Sequence, residues 1–191
     1  MMMSTQEQNK TINLGLLPEV LGETYQQLPK EIQALHAGDS VYEAEGSCEV
    51  FGASNFLTAM AAKLGGMPPS GVDVPVRLSI QPQGSSEIWS RKFGDVLLAT
   101  TQKLYGSDKN QLIEFLGPGG IVLNVEASQK GLFLNSCGLR LFGVIPVPEI
   151  LSPKIKASEI LIEEGKVAFD VEIAAPFLGR MVGYKGYLII K

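Results

Sequence analysis

The sequence predicts an α+β fold that is mostly β: a large, strongly curved antiparallel sheet or barrel of about nine or ten strands, with helices from the first 65 residues packed against it. Two observations carry this. Beyond residue 70 the turn signals GSS, GD, GSDKN, GPGG and SQKG and the pair Gly165-Lys166 recur at hairpin spacing, about every 8 to 12 residues. The segments between them alternate apolar with polar and no amphipathic helix intervenes, so neighbouring strands run antiparallel. An open sheet of this size curls, closes or splits into two layers.

The elements follow in order. Residues 1–13, MMMSTQEQNKTIN, are polar, without a hydrophobic signal core, and read as a loose tail; 14–191 read as one domain. Leu14, Leu17, Leu21 and Leu28, then Ile32 and Leu35, are spaced for helical faces. Pro18 suits a first helical turn, and Pro29 starts a second helix because Leu28 before it is steered from the α region. Two short helices are expected, about 17–27 and 30–37, with Gly38-Asp39 as the stop. VYEAEGSCEV alternates Tyr42, Ala44, Cys48 and Val50 against Glu43, Glu45, Ser47 and Glu49, a strand with one wet face. In ASNFLTAMAAKLGG, Ser54 or Asn55 caps a helix expected to carry Phe56, Leu57, Met60, Ala61 and Leu64 inward. Strands fill the rest, beginning with VPVRLSI, in which Val74, Val76, Leu78 and Ile80 share a face.

Composition excludes several functions. The chain has 191 residues, a net charge of −4 and no block of Lys or Arg, which argues against a nucleic-acid partner. Cys48 and Cys137 have no CxxC neighbour and are expected as reduced, buried thiols. One histidine, His36, and scattered acids give no metal set and no cofactor motif. His36 is expected to stabilise a helix C-terminus, with Asp39 its local acid, or else to act as a base. Glu163-Glu164 belongs to a turn, and Asp170 and Glu172 alternate outward against Phe169, Val171 and Ile173. GPGG at 117–120 is followed by a strand, not a helix, so it is a hairpin turn and not a phosphate loop. No run reaches the length of a membrane helix, and a cytoplasmic location is expected.

Two places draw attention. In EIWSRKFGD, Glu87, Trp89, Arg91 and Phe93 share one side of a strand. Arg91 stacked on Trp89 would suit an acidic head group, or the two form a cross-strand stack. LRLFGVIPVPEILSP, residues 139–153, sets Pro146, Pro148 and Pro153 in an apolar run. Proline lacks the ladder donor, so 145–149 must be extended at an edge or in a loop. AAPFLGRMVGY, with Pro176, Phe177, Leu178, Met181 and Val182, is a second apolar loop. Such loops rim a cavity, rest on a membrane or partner, or cap the core.

The order of these pieces resembles a known family. LPEVLGETYQQLPKEIQALHAG, VPVRLSIQPQGSSEIWSRKFG, RLFGVIPVPEILSPKIKASE and FDVEIAAPFLGRMVGYKGYL resemble, in sequence, the motifs of the uncharacterised bacterial domain-of-unknown-function family DUF4166. The matching positions include His36, Trp89, Arg91, Phe93, Pro146, Pro148, Pro176, Tyr184 and Gly186. The resemblance implies a domain found alone or C-terminal to saccharopine-dehydrogenase-like, NAD(P)-binding domains; this chain has no GxGxxG unit of its own. No catalytic residue is implied.

The function expected is a binding module for a small hydrophobic or amphipathic ligand, held between the helices and the concave face of the sheet. Trp89, Arg91, Phe93, Phe142, Ile145, Phe177 and Tyr184 are its candidate residues, with the 139–151 and 175–182 loops at the mouth. The alternative is an interaction module, docking a dehydrogenase-like or membrane partner or a second copy of the chain. An enzyme would need His36, Tyr184 or an acid to converge with Arg91.

Overall fold

Alternation fixes most of the molecule. In a computed structural model that describes residues 15–38, 40–106 and 110–190, the strands of the wall turn their apolar faces inward and the sheet closes. The strands are β1 (Tyr42–Phe51), β2 (Gly71–Gln83), β3 (Ser86–Phe93), β4 (Val96–Leu104), β5 (Gln111–Leu116), β6 (Gly119–Ser128), β7 (Gly131–Leu141), β8 (Ile145–Val147), β9 (Lys154–Glu163), β10 (Lys166–Ala175) and β11 (Gly179–Ile189). All pairings are antiparallel. The order is β6-β5-β4-β3-β2-β1-β11-β10-β9-β7, and β6 also pairs with β7, which closes a ten-stranded barrel. The last strand therefore lies between the first strand and β10. Glycine permits that seam. A Cβ on Gly186 of β11 would stand 2.1 Å from the Ser47 carbonyl oxygen of β1.

Connections in such a barrel alternate between its ends. The β2–β3, β4–β5, β6–β7 and β9–β10 turns lie at one end, with the N-terminal helices. There α1 (Leu16–Leu21), a 3₁₀ segment (Gly22–Gln27) and α2 (Lys30–Leu35) bury Leu16, Leu17, Val20, Leu21, Leu28, Ile32 and Leu35. The helices pack on β4, β6, β9 and β10 and plug that end. The backbone ties them down: Leu16 N donates to Glu87 Oε1 at 2.8 Å and Asn110 N to the Val20 carbonyl at 2.9 Å. The expected tail, Leu14 and Asp39 lie outside the described residues.

The opposite end holds the β1–β2, β3–β4, β5–β6, β7–β9 and β10–β11 connections. Here two expectations are corrected. Helix α3 (Phe56–Leu64), capped by Asn55 with Thr58, does not face inward: Phe56, Leu57, Met60 and Leu64 are exposed, and Thr58 is its buried residue. It packs against β11, a strand of a wall that is already closed, so no core remains for it to cover. Cys137 is also exposed, because it alternates outward on β7; Cys48 is buried as expected.

The proline-rich run forms an edge. β8 pairs with Leu139–Leu141 of β7 alone. β9 leaves β7 beyond the pair Asn135–Lys156. Ser136 Oγ bridges the divergence, accepting from Ile155 N at 2.8 Å and donating to the Pro153 carbonyl at 3.2 Å. Its apolar residues do not cap the core: Phe142, Val144, Ile145, Ile150 and Leu151 are exposed. GPGG is the β5–β6 turn, with Gly117 at φ 57°.

Candidate functional site

A barrel of ten strands encloses more space than its inward side chains fill. The interior retains a cavity of about 310 Å³. Aliphatic and aromatic residues dominate its wall: Leu78 of β2, Leu98 of β4, Leu112 of β5, Leu123 of β6, Leu134 of β7, Phe169 and Val171 of β10 and Leu188 of β11. Leu16, Leu17 and His36 form its floor at the helical end. At the far end the lining reaches Gly65, Met67, Gly119 and Pro153, all partly exposed, so the cavity approaches the surface among the apolar loops.

One strip of this wall is polar. Inward alternation on β3 sets Glu87, Trp89, Arg91 and Phe93 in a row on the cavity. The Arg91 guanidinium lies 4.8 Å from the centre of the Trp89 ring. Its Nη1 donates to Thr100 Oγ1 at 3.0 Å and to Glu114 Oε1 at 3.1 Å, and Thr100 Oγ1 donates to the same carboxylate oxygen at 2.6 Å. Burial alone would pull the Arg91 pKa down; the charge and hydrogen bond of Glu114, with Tyr184 and Glu159 nearby, carry it above its ordinary value. Arg91 is thus already neutralised by Glu114, a partner 23 residues away. Burial raises the Tyr184 phenol too, offset by Arg91 and reinforced by Glu114 and Cys48. Tyr184 packs against Phe93 with ring centres 4.8 Å apart and ring planes tilted by 56°.

His36 closes the strip at the floor. It sits at the C-terminus of α2, but its partner is Glu159 of β9: Nε2 meets Oε2 at 2.8 Å. Its ring packs 5.3 Å from that of Trp89. Nδ1 is buried and makes no hydrogen bond among the described residues. A proton there would be an unsatisfied buried donor, so the geometry favours Nε2–H donating to the carboxylate. Glu87 accepts from Trp89 Nε1 at 3.2 Å as well as from Leu16 N.

Of the seven residues singled out in the sequence, Trp89, Arg91, Phe93 and Tyr184 come together on the cavity. Phe142, Ile145 and Phe177 do not line it; they stand exposed at the open end by 72%, 53% and 84%. Sequence reasoning missed Glu114 and Glu159. Their signal was their place at apolar-facing positions in QLIEFL and KASEILI, where a charge on the inner face needs a partner. Among the described residues no His, Cys, Asp and Glu cluster suits a metal ion. No helix among them is long and apolar enough to cross a membrane.

The family model for DUF4166, a domain of unknown function, matches residues 28–188. No curated protein matches the chain.

Proposed function

The chain belongs to the DUF4166 family, and we propose that it works as a binding module for a small hydrophobic or amphipathic molecule held inside the barrel. The observation that carries this reading is the unfilled, largely apolar cavity of about 310 Å³. Natural cores pack to near crystal density, so an apolar void of this size costs stability unless something occupies it. It falls at the lower bound of ordinary ligand pockets and holds about ten waters' volume, enough for a short apolar chain.

The polar strip selects the ligand's head. An acidic head group gains little from Arg91, whose charge Glu114 already meets, and would face Glu87 and Glu159 as well. An uncharged head that both donates and accepts, such as a hydroxyl, fits without a new unpaired charge. The test is native mass spectrometry of protein purified from its host, followed by organic extraction. A co-purifying apolar molecule is expected; a clean apo mass, together with no uptake of decanol or of 1-aminoanthracene, refutes the reading. The second reading, an interaction or dimerisation module, is favoured by the exposed apolar loops at the open end.

A further inference from the structure

Most of the large apolar side chains that stand in solvent lie at one end of the barrel. Phe56 and Leu57 project from α3, Phe142 from the β7–β8 turn, Ile145 from the start of β8, and Phe177 and Leu178 from the β10–β11 turn. Phe142 and Phe177 hold their positions at φ 52° and 60°. A bulky side chain is uncommon in that region, where Gly or Asn is the ordinary choice. The two turns therefore present aromatic rings outward at a conformational cost, where a turn alone would favour another residue. Hydrogen bonds lock the neighbouring pieces in place: Ser54 N donates to the Arg180 carbonyl at 2.9 Å and Phe142 N to the Pro118 carbonyl at 2.7 Å.

We propose that this end of the barrel lands on a lipid bilayer, with Phe56, Phe142 and Phe177 inserting as separate anchors around the cavity mouth. Three arguments favour lipid over a second copy or another protein. First, the anchors stand on three different connections with the mouth between them. A protein partner must match such relief with a continuous complementary surface of roughly 800 Å², whereas acyl chains fill the space around separate protrusions. Second, the three anchor-bearing connections are poor in acid for a chain of net charge −4. They carry Lys63, with Arg180 just beyond at the start of β11, and their one carboxylate, Glu149, is held by Lys154 at 2.7 Å, while the other acids at the tip of this end, Asp73 and Asp95, stand on β2 and on the β3–β4 turn. Third, the apolar surface continues inward: Gly65 and Met67, just beyond α3, and Pro153, beyond β8, line the cavity. The bilayer then supplies or receives the ligand without passage through water. That last step rests on the ligand-binding reading; the landing surface does not.

The experiment is co-sedimentation with vesicles of equimolar phosphatidylcholine and phosphatidylglycerol. Wild-type chain is expected in the pellet. The triple variant Phe56→Ser, Phe142→Asn, Phe177→Asn should lose about a hundredfold or more in partitioning, each ring removed from water being worth roughly tenfold. Asn suits the positive φ at both turns, and native-like Trp89 emission checks the fold. Should the triple variant not fold, each of the two Asn variants alone carries the roughly tenfold expectation. Wild type left in the supernatant overturns the proposal. So does a wild-type dimer that the triple variant splits, which would assign the rim to a second copy. Uptake of 1-aminoanthracene by the same proteins reads the cavity separately. A variant that loses vesicles but keeps the dye separates the two readings, and vesicle binding without dye uptake sinks only the ligand.

Discussion

Replacing Arg91 by Met removes the one guanidinium that faces the cavity beside Glu114. The side chains are 15% and 18% accessible, and the contact distance is 3.1 Å. Glu114 would then keep Thr100 as its remaining hydrogen-bond donor, inside a wall that is otherwise aliphatic. Breaking a buried ion pair from one side costs about 3–5 kcal/mol, because a desolvated charge is left alone. The small residual accessibility places this pair at the lower end, about 3 kcal/mol, for Arg91→Met and for Glu114→Leu alike. The double variant has no stranded charge. It should cost no more than either single change, with about 1 kcal/mol of it due to the orphaned Thr100 hydroxyl. Urea unfolding followed by far-ultraviolet circular dichroism measures all three, since Trp89 fluorescence would respond to the loss of the guanidinium above the ring. Two single changes below about 1 kcal/mol that simply add in the double variant would refute the reasoning. The pair would then be solvated through the mouth and would not form part of a desolvated wall.

Other outcomes follow from the same geometry. Native protein should react with a thiol reagent at Cys137 alone, and Cys48 should become accessible on unfolding; labelling followed by peptide mapping distinguishes them. Burial raises the Cys48 thiol to about 11 from 9.0, so the folded state holds this proton more tightly than the unfolded state. Stability is therefore undiminished below pH 9 and falls by about 2–3 kcal/mol as pH rises towards 11, and Cys48→Ala should flatten that slope in a pH series of urea melts. Gly186→Val should prevent soluble expression or cost several kcal/mol, since its Cβ would press on the β1 backbone; a variant as stable as wild type would mean the seam can open without loss.

The strands were legible because their signal is local. Alternation in VPVRLSI and turns such as Gly94-Asp95 depend on neighbours in the chain; closure does not, since the strand number alone allowed a curled sheet, a barrel or two layers, and the β6–β7 pairing is what decides for the barrel. Trp89, Arg91 and Phe93 were legible as one face because alternation is local. What period 2 does not encode is which residues meet across the barrel. Glu114 reaches Arg91 from two strands away, and Glu159 reaches His36 across 123 positions. The inward reading of α3 failed for a related reason. Phe56, Leu57, Met60 and Leu64 have the spacing of a core-facing stripe, but a stripe says only that a helix has an apolar side, not that a core is available to receive it. The prolines did report their own position. Pro146 and Pro148 exclude a central strand, and β8 is an edge.

The seam between β1 and β11 sets the timing of assembly. The wall opens or closes at a strand whose inward residues, Val182, Tyr184 and Leu188, follow those of the other ten strands in the chain. Until they emerge from the ribosome, β1 and β10 each present an unpaired edge and the cavity wall is a trough open along its length. A newly made chain is thus at its stickiest until β11 has emerged, and one cut short before β11 never leaves that stage. The apolar interior that is suited to hold a small molecule is, for that interval, the surface most in need of a chaperone.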